Sequence, residues 1–301
     1  MGLFLQQLLN GLTIGMVYAL IALGYTMVYG VMQLINFAHG EVFMVGAYLA
    51  LAAIWFFAAF FPHAPFWVLI PAIFLTAMLG AALLGVTIEK VAYKPLRGSP
   101  KLTVLITSIG ISFFLQNAVM LIYGSKEQNV PEVIPNLRYS IGPVSFSLMQ
   151  LVIFAVSVSL MLGLAWFVKN TKTGKAMRAT SENPEAAHLM GISVNQIIRV
   201  TFVLGSALAA MGGSLFGLYY GSVNFHDGYL AGLKAFTAAV FGGIGSIPGA
   251  MLGGILLGVF EGLGAGYLSS EWKDVFAFLL LGAVLIFKPS GILGENLPDK
   301  V

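Results

Sequence analysis

Polar and ionisable residues interrupt the apolar sequence near the start of the chain, where residues 36–41 read Asn-Phe-Ala-His-Gly-Glu. His39 and Glu41 lie between two stretches long enough to enter a membrane, where an ionised side chain costs roughly 2.5–3.5 kcal/mol or more. A helix beginning near Gly40 would place its positive end beside Asn36, an arrangement that suits a carboxylate ligand. We predict that Asn36, His39 and Glu41 line a substrate path. The alternative is that they mark the interface between two membrane spans.

A second polar segment, residues 169–199, carries five basic residues and the start and stop signals of a short helix. Asn183 can cap this helix, Pro184 suits its first position, and Glu185 is favoured by the positive end of the helix dipole. Gly191 is a natural C-terminal stop. A helix of about two turns is unstable alone in water. It must therefore pack on something, either a soluble protein or the membrane helices and lipid headgroups.

The composition indicates that these two segments belong to a membrane protein. Of the 301 residues, 58% are hydrophobic and only 9% are charged, with a mean hydropathy of +0.91. A soluble domain has about 25% charged residues, so a lipid bilayer must cover most of this surface. Nine of the fifteen basic residues lie in two loops, 89–101 and 169–199. This distribution is a topology signal and does not resemble a nucleic-acid-binding surface.

Several kinds of catalytic or metal site have no counterpart in the sequence. The chain has no cysteine, which excludes disulfides, thiolate nucleophiles and cysteine-based metal sites. It contains no P-loop, no His-Glu-x-x-His zinc motif and no nucleophile elbow. A membrane-embedded transferase or protease would need an acid, base or nucleophile set, and we find none. We therefore expect no catalytic site, no metal and no cofactor.

The hydropathy pattern predicts an all-α, polytopic transmembrane bundle that forms one domain over residues 1–301. Apolar stretches cover residues 8–29, 42–61, 66–88, 102–123, 148–168, 200–220, 235–268 and 275–287. The stretch 235–268 would be ~51 Å long as one helix, too long for a single crossing. Its Gly-Ser-Ile-Pro-Gly sequence at 245–249 predicts a turn. We therefore expect about eight spans plus a short or re-entrant segment, 235–246.

The loop charges predict the orientation of the bundle. The positive-inside rule places the basic loops 89–101 and 169–199 in the cytoplasm and the loop 124–147 outside. Counting back from residue 89 gives an outside N-terminus. The C-terminus lies inside only if 235–246 and 249–268 both cross.

Small residues recur at every fourth position in two of the predicted helices. One ladder starts at Gly205 and ends at Gly221; the other starts at Gly242 and ends at Gly266. Such ladders let helix backbones approach closely in a membrane, although they could also belong to helices that slide along a substrate path. Glu261 lies within the second ladder. We interpret it as a structural hydrogen-bonding or ion-pair residue rather than a substrate ligand.

Short strings in the chain resemble a known transporter family. Glu185-Ala186-Ala187-x-x-x-Gly191 resembles the core of the EAA loop, by which permeases of ABC importers dock on their ATPases. The proline of the fuller EAA pattern is missing, since residues 201–204 read Thr-Phe-Val-Leu. Longer strings resemble the LivH-type permease of branched-chain amino acid ABC importers, and the resemblance covers essentially the whole chain. These strings are residues 18–24, 35–41, 242–250 and 288–295.

The resemblance implies a permease subunit for leucine, isoleucine or valine in the bacterial cytoplasmic (inner) membrane. It implies a second permease of the same family, two ATP-binding subunits and an extracytoplasmic substrate-binding protein as partners. Glu185, Ala186, Ala187 and Gly191 would form the coupling site, and loop 124–147 would either receive the binding protein or serve as a solvated connector. Related permeases for urea or short amides remain an alternative, as does an ion-coupled secondary transporter or channel.

Overall fold

The computed structural model describes residues 2–294 and is built almost entirely of helices, which confirms the predicted architecture. The helices are α1 Gly2–Met32, α2 His39–Phe60, α3 Phe66–Ile88, α4 Lys101–Tyr123, α5 Leu148–Asn170, α6 Lys172–Glu182, α7 Pro184–Leu189, α8 Val194–Tyr220, α9 Asp227–Gly242, α10 Ile247–Tyr267 and α11 Lys273–Phe287. A π-helical turn, Glu89–Tyr93, extends α3, and a 3-10 turn, Ser270–Trp272, precedes α11. Residue 295, the last of the family-like string 288–295, lies outside the described residues.

Two small antiparallel sheets lie at one end of the bundle. Strand β1 (Gln128–Asn129) pairs with β4 (Ser222–Val223), and β2 (Arg138–Ile141) pairs with β3 (Val144–Ser147). Ser147 then caps α5 through a capping box with Gln150. The segment 124–147 therefore carries a hairpin and one strand that ties it to the chain following α8.

Within residues 2–294, seven helices are long and apolar enough to cross a membrane: α1 to α5, α8 and α10. The helices α9 and α11 are shorter, at 16 and 15 residues. The number of spans is thus close to the predicted eight plus a short segment. The predicted break in 235–268 is confirmed, because α9 ends at Gly242 and Ser246 caps α10 by accepting a hydrogen bond from the Gly249 N–H at 3.2 Å. The helix before the break begins at Asp227, earlier than predicted. The hydropathy pattern missed its first turns because they contain polar residues.

Contacts at the two ends of α1 show where the two polar loops, 124–147 and 169–199, lie relative to each other. Near its start, Gln6 exchanges hydrogen bonds of 2.9 Å with the backbone of Ser145 in loop 124–147. Near its end, the Gly30 carbonyl accepts a hydrogen bond of 2.6 Å from Ser181 of α6. Loops 124–147 and 169–199 therefore lie at opposite ends of the bundle. The assignment of these ends to the two sides of a membrane stays a prediction.

The helices α1 and α10 form an extensive contact, in which small residues let the two backbones touch. Most of α1 is buried, and Gly11 and Gly15 lie against the backbone of Gly258. A methyl group added at Gly258 would overlap backbone atoms of both α1 glycines. The interpretation of this ladder as a close-packing surface is confirmed, since backbone, unlike a flexible side chain, cannot move aside locally.

We expect Gly258→Ala to destabilise the protein by about 1–3 kcal/mol or more, because the new methyl group forces α1 and α10 apart. Thermal unfolding in detergent measures the effect. Gly163→Ala is the matched control, since Gly163 lies on the exposed surface of α5 and an added Cβ there meets nothing within 4 Å. Equal stability of the two variants would show that the α1–α10 contact is loose.

Candidate functional site

The helix α2 begins inside the bundle and not at its surface. After α1 ends at Met32, residues 33–38 turn back into the protein, starting with Gln33 in a left-handed conformation (φ 56°). The first residue of α2, His39, packs against Gly24 of α1. Gly24 lies eight residues before Met32, or ~12 Å of helix. The N-terminus of α2 is therefore enclosed by protein at depth in the bundle.

The helix α9 begins in the same way, from the opposite direction. The helix α8 ends at Tyr220, β4 follows, and α9 starts at Asp227. Gly228 and Gly232 in the first turns of α9 pack directly on Gly40 of α2. From this crossing α2 runs towards Tyr123 at the end of α4, where the ring of Tyr48 lies 4.7 Å from that of Tyr123. The end of α9 leads to Gly245, which lies beside Gly30 at the other end of the bundle.

The two helix starts share a sequence pattern that the analysis of motifs missed. Both read Asn-Phe-x-x-Gly, at residues 36–40 and 224–228. The Asn36 side-chain oxygen accepts a hydrogen bond from the Ala38 N–H at 3.1 Å, and that of Asn224 accepts one from the His226 N–H at 3.0 Å. Because the helices run in opposite directions, this is an inverted repeat of the kind found in transporters with broken helices. A search for internal repeats would have found it.

Glu41, in the first turn of α2, lies at this crossing. Its side chain is 1% exposed and its carboxylate touches Gly228 at the start of α9. Oε1 accepts a hydrogen bond of 3.1 Å from the Ser112 hydroxyl of α4. Within residues 2–294, Oε2 has no hydrogen-bond partner. Glu41 therefore keeps an acceptor available at a buried position.

The other two predicted path residues bond to neighbouring protein groups. The Asn36 side-chain oxygen also accepts a hydrogen bond of 2.8 Å from the Tyr93 hydroxyl. The His39 Nε2 atom lies 3.2 Å from the carbonyl oxygen of Ile21, and its ring packs edge-on against Tyr25. The structure thus brings Asn36, His39 and Glu41 to one place. A direct substrate contact stays a prediction for all three, and their bonding favours Glu41.

The helix α4 covers the crossing and is held there by two side-chain hydrogen bonds. Ser112 bonds Glu41, and the side-chain nitrogen of Gln116 lies 2.7 Å from Nδ1 of His226. Most of α4 is otherwise exposed, and among its residues only Val104, Ser108, Leu115 and Val119 are buried. A cover with so few contacts can move without disturbing the core.

Glu261 belongs to a separate buried cluster of charges. Its Oε1 atom lies 2.9 Å from the Lys234 ammonium nitrogen, and its Oε2 atom accepts a hydrogen bond of 2.9 Å from the Tyr18 hydroxyl. The Lys234 ammonium nitrogen also lies 2.7 Å from Asp274. The interpretation of Glu261 as an ion-pair residue is confirmed. The cluster joins α1, α9, α10 and α11.

The predicted short helix in segment 169–199 is present as α7, Pro184–Leu189. The Asn183 side chain accepts hydrogen bonds of 3.0 Å from the N–H groups of Glu185 and Ala186. Gly191 has a left-handed conformation, φ 83°, as expected for a helix stop. Of the predicted coupling residues, Glu185, Ala186 and Gly191 are exposed and Ala187 is buried. Coupling to an ATPase stays a prediction.

Two apolar side chains next to these residues are almost fully exposed. Leu189 is 86% exposed and Met190 is 83% exposed. They lie on a short helix that is anchored through Ala187 and flanked by polar residues. Exposed apolar side chains rimmed by polar residues mark interaction surfaces. Sequence reasoning recognised the helix but not which of its residues project outwards.

A chain of polar contacts connects the start of α8, just after α7, with the buried crossing. Arg97 donates hydrogen bonds to Asn195 in the first turn of α8 and to Glu89, which is 1% exposed. Glu89 begins the π-helical turn that ends at Tyr93. The Tyr93 hydroxyl bonds Asn36. Loop 89–101 is therefore more than a marker of topology, since it joins α8 to the start of α2.

At the end that carries loop 124–147, the bundle has an open cavity of about 490 Å³. This volume is in the range of small-molecule sites. Polar side chains line it, among them Gln6, Asn10, Arg138, Gln150 and Tyr219. The cavity lies beside α1 and α8, and a molecule arriving from this side would meet it first.

Comparison with known proteins places the chain in one family over nearly its whole length. The family described as "Branched-chain amino acid transport system / permease component" matches residues 7–285. BraD of Pseudomonas aeruginosa, a high-affinity branched-chain amino acid transport system permease protein, is 51% identical over 99% of this chain and 98% of its own length. The LivH permease proteins of Salmonella typhimurium and Escherichia coli are 48% and 47% identical, each over 99% of this chain and 98% of its own length. The chain therefore belongs to the family of branched-chain amino acid transport system permease components.

Proposed function

We propose that this chain is the membrane-spanning permease subunit of an ATP-driven importer of leucine, isoleucine and valine in the bacterial cytoplasmic membrane. The observation that carries the proposal is the similarity of 47–51% identity over 99% of the chain to permease proteins of high-affinity branched-chain amino acid transport systems. Two features support it: the starts of α2 and α9 cross inside the bundle, and one face of α7 is exposed. A permease needs an enclosed site and a surface that contacts its ATPase subunits.

The complete importer would contain a second permease of the same family, two ATP-binding subunits and an extracytoplasmic substrate-binding protein. This chain would have no catalytic site of its own and would hold no cofactor, and ATP would be hydrolysed in the partner subunits. The face of α7 formed by Glu185, Ala186, Leu189 and Met190 would dock on an ATPase. The cavity of about 490 Å³ at the other end would receive the amino acid released by the binding protein.

Transport would follow from a change in the population of two arrangements of the bundle. Closure of the ATPases would displace α7 and the adjacent start of α8. Through Arg97, Glu89 and Tyr93, this displacement would reach Asn36 and the start of α2. A partner can shift such an equilibrium only through its different affinity for the two states. The ATPase dimer would therefore have to bind α7 more tightly in one of them.

Reconstitution into proteoliposomes tests the proposed function. We expect leucine uptake only when both permeases, both ATPases and the binding protein are present with ATP, and none when the ATPases carry an inactive ATP site. Excess isoleucine or valine should compete with labelled leucine, whereas urea and acetamide should not. Leucine uptake by this chain alone, driven by an ion gradient, would disprove the importer and indicate a secondary transporter.

A further inference from the structure

The buried carboxylates of this protein differ in whether a basic side chain pairs with them, and this difference points to a ligand. Glu41, Glu89 and Glu261 are each no more than 2% exposed. Glu89 is paired with Arg97, and Glu261 lies 2.9 Å from the Lys234 ammonium nitrogen. Within residues 2–294, Glu41 has no basic side chain within 4 Å, and its Oε2 atom accepts no hydrogen bond. Buried charges are normally paired, so Glu41 is the one of the three that lacks a cation.

A structural role as a helix cap does not account for Glu41. Its carboxylate lies against Gly228 in the first turn of α9, where a capping acid would accept a backbone N–H. In the part of the chain that the structure describes, Oε2 accepts none, and the only bond to Oε1 comes from Ser112 of α4. The carboxylate is therefore held at the crossing of α2 and α9 with its acceptor unused.

The same crossing brings together the starts of two helices, whose first N–H groups, those of His39 and Asp227, donate to the carbonyls of Asn36 and Asn224. The N-cap residues of α2 and α9 are Ala38 and His226, and neither makes a side-chain capping hydrogen bond. The positive ends of two helix dipoles thus meet at one place and favour anions, and each first turn already carries one acid, Glu41 in α2 and Asp227 in α9. Next to them, the partly buried rings of Phe37 and Phe236 lie 6.0 Å apart, and Tyr25 lies 6.1 Å from Phe236. Apolar rings suit an aliphatic side chain.

We propose that Glu41 binds the α-ammonium group of a zwitterionic amino acid at the crossing of α2 and α9. The uncapped helix starts receive its carboxylate, and Phe37 and Phe236 contact its branched side chain. This inference rests on the proposed function and specifies its substrate site. Because Glu41 is buried, α4 must move to admit the ligand; the bonds of Ser112 and Gln116 and the packing of its four buried residues hold it over the crossing. A ligand ammonium would bond the free Oε2 atom beside the Ser112 hydroxyl and would therefore shield residue 112.

Thiol labelling can test the site directly, because the chain has no cysteine and a single introduced one is the only thiol of this chain. In the assembled importer, Ser112→Cys is labelled with a small thiol reagent in the presence of three probes. These are leucine, 4-methylpentanoate, which lacks the ammonium, and 3-methylbutylamine, which lacks the carboxylate. We expect only leucine to slow labelling, and we expect Glu41→Gln to abolish its effect. Asn117→Cys, on the exposed face of the same helix, is the control whose labelling leucine should not change.

Uptake kinetics separate this proposal from the proposed function. We expect Glu41→Gln to lower kcat/KM for leucine roughly tenfold or more, the loss expected when a charge-assisted hydrogen bond is removed. Glu41→Asp, which keeps the charge, should retain part of the activity. The same change at an exposed acid outside the proposed sites, Glu271→Gln, should have no effect.

Each outcome of these experiments supports or overturns either the ammonium site or the proposed function. If the wild-type importer transports leucine and Glu41→Gln keeps both its kinetics and the protection by leucine, the ammonium site is wrong and the proposed function stands. Equal protection by 4-methylpentanoate also overturns it. If the wild-type complex does not transport leucine at all, the proposed function fails first. Should Glu41→Gln fail to assemble, Glu41→Asp and the three-probe labelling of otherwise wild-type protein still decide the matter.

Discussion

Replacing Leu189 and Met190 with aspartate is expected to abolish ATP-driven uptake and binding of the ATPase subunits without lowering the stability of the permease. Both side chains are more than 80% exposed and belong to a helix whose buried anchor is Ala187. New charges there cause no loss of packing within the chain, but they oppose insertion into an apolar groove of a partner. Co-purification of the ATPases and leucine uptake in proteoliposomes measure the two effects.

A second variant, Gly191→Pro, should have the same effect by a different route. Gly191 has φ 83°, and proline fixes φ near −65°, so the turn that ends α7 cannot form. The control is Lys172→Asp, an exposed residue of α6 in the same loop, which should bind the ATPases normally. Normal uptake by both the aspartate and proline variants would show that α7 is not the point of coupling.

Lys234→Met is expected to destabilise the permease by about 3–5 kcal/mol, the range seen when one partner of a buried ion pair is removed. Lys234 is 8% exposed and lies between Glu261 and Asp274. Without the ammonium, the buried Glu261 carboxylate retains only its hydrogen bond from Tyr18. Thermal unfolding in detergent measures the loss.

The double variant Lys234→Met with Glu261→Gln is the matching control, because it removes the uncompensated charge together with its partner. We expect it to recover more than half of the lost stability. Additive effects of the two changes would mean that the pair does not interact as the geometry indicates. The cluster also bears on the proposed substrate site, since Lys234 anchors α9, one of the two helices at the crossing.

Local signals in the sequence were enough to predict much of the architecture. The break at residues 245–249 followed from glycine and proline, whose backbone preferences act within a single turn. The short helix α7 followed from Asn183, Pro184 and Gly191, which act on the residues beside them. Its exposed face could not be predicted, because the burial of Ala187 depends on the helices that α7 packs against.

The polar residues Asn36, His39 and Glu41 show most clearly what could not be predicted from the sequence. Hydropathy and charge alone indicated that Asn36, His39 and Glu41 need partners within a membrane, since the cost of burying a charge does not depend on the fold. Which of them found partners depends on contacts with residues distant in the chain. Asn36 meets Tyr93 and His39 meets Ile21, while Glu41 meets Ser112 and no cation among the described residues.

The sequence by itself determined that this protein is a helical membrane bundle, where its helices break and which family it resembles, because each of these depends on neighbouring residues or short motifs. Only the tertiary structure decided that the two Asn-Phe-x-x-Gly segments meet at one crossing, and that among residues 2–294 Glu89 and Glu261 have a basic partner whereas Glu41 has none. The physical reason is that a buried charge is stabilised by groups within a few ångströms in space, and in this chain those groups come from different helices.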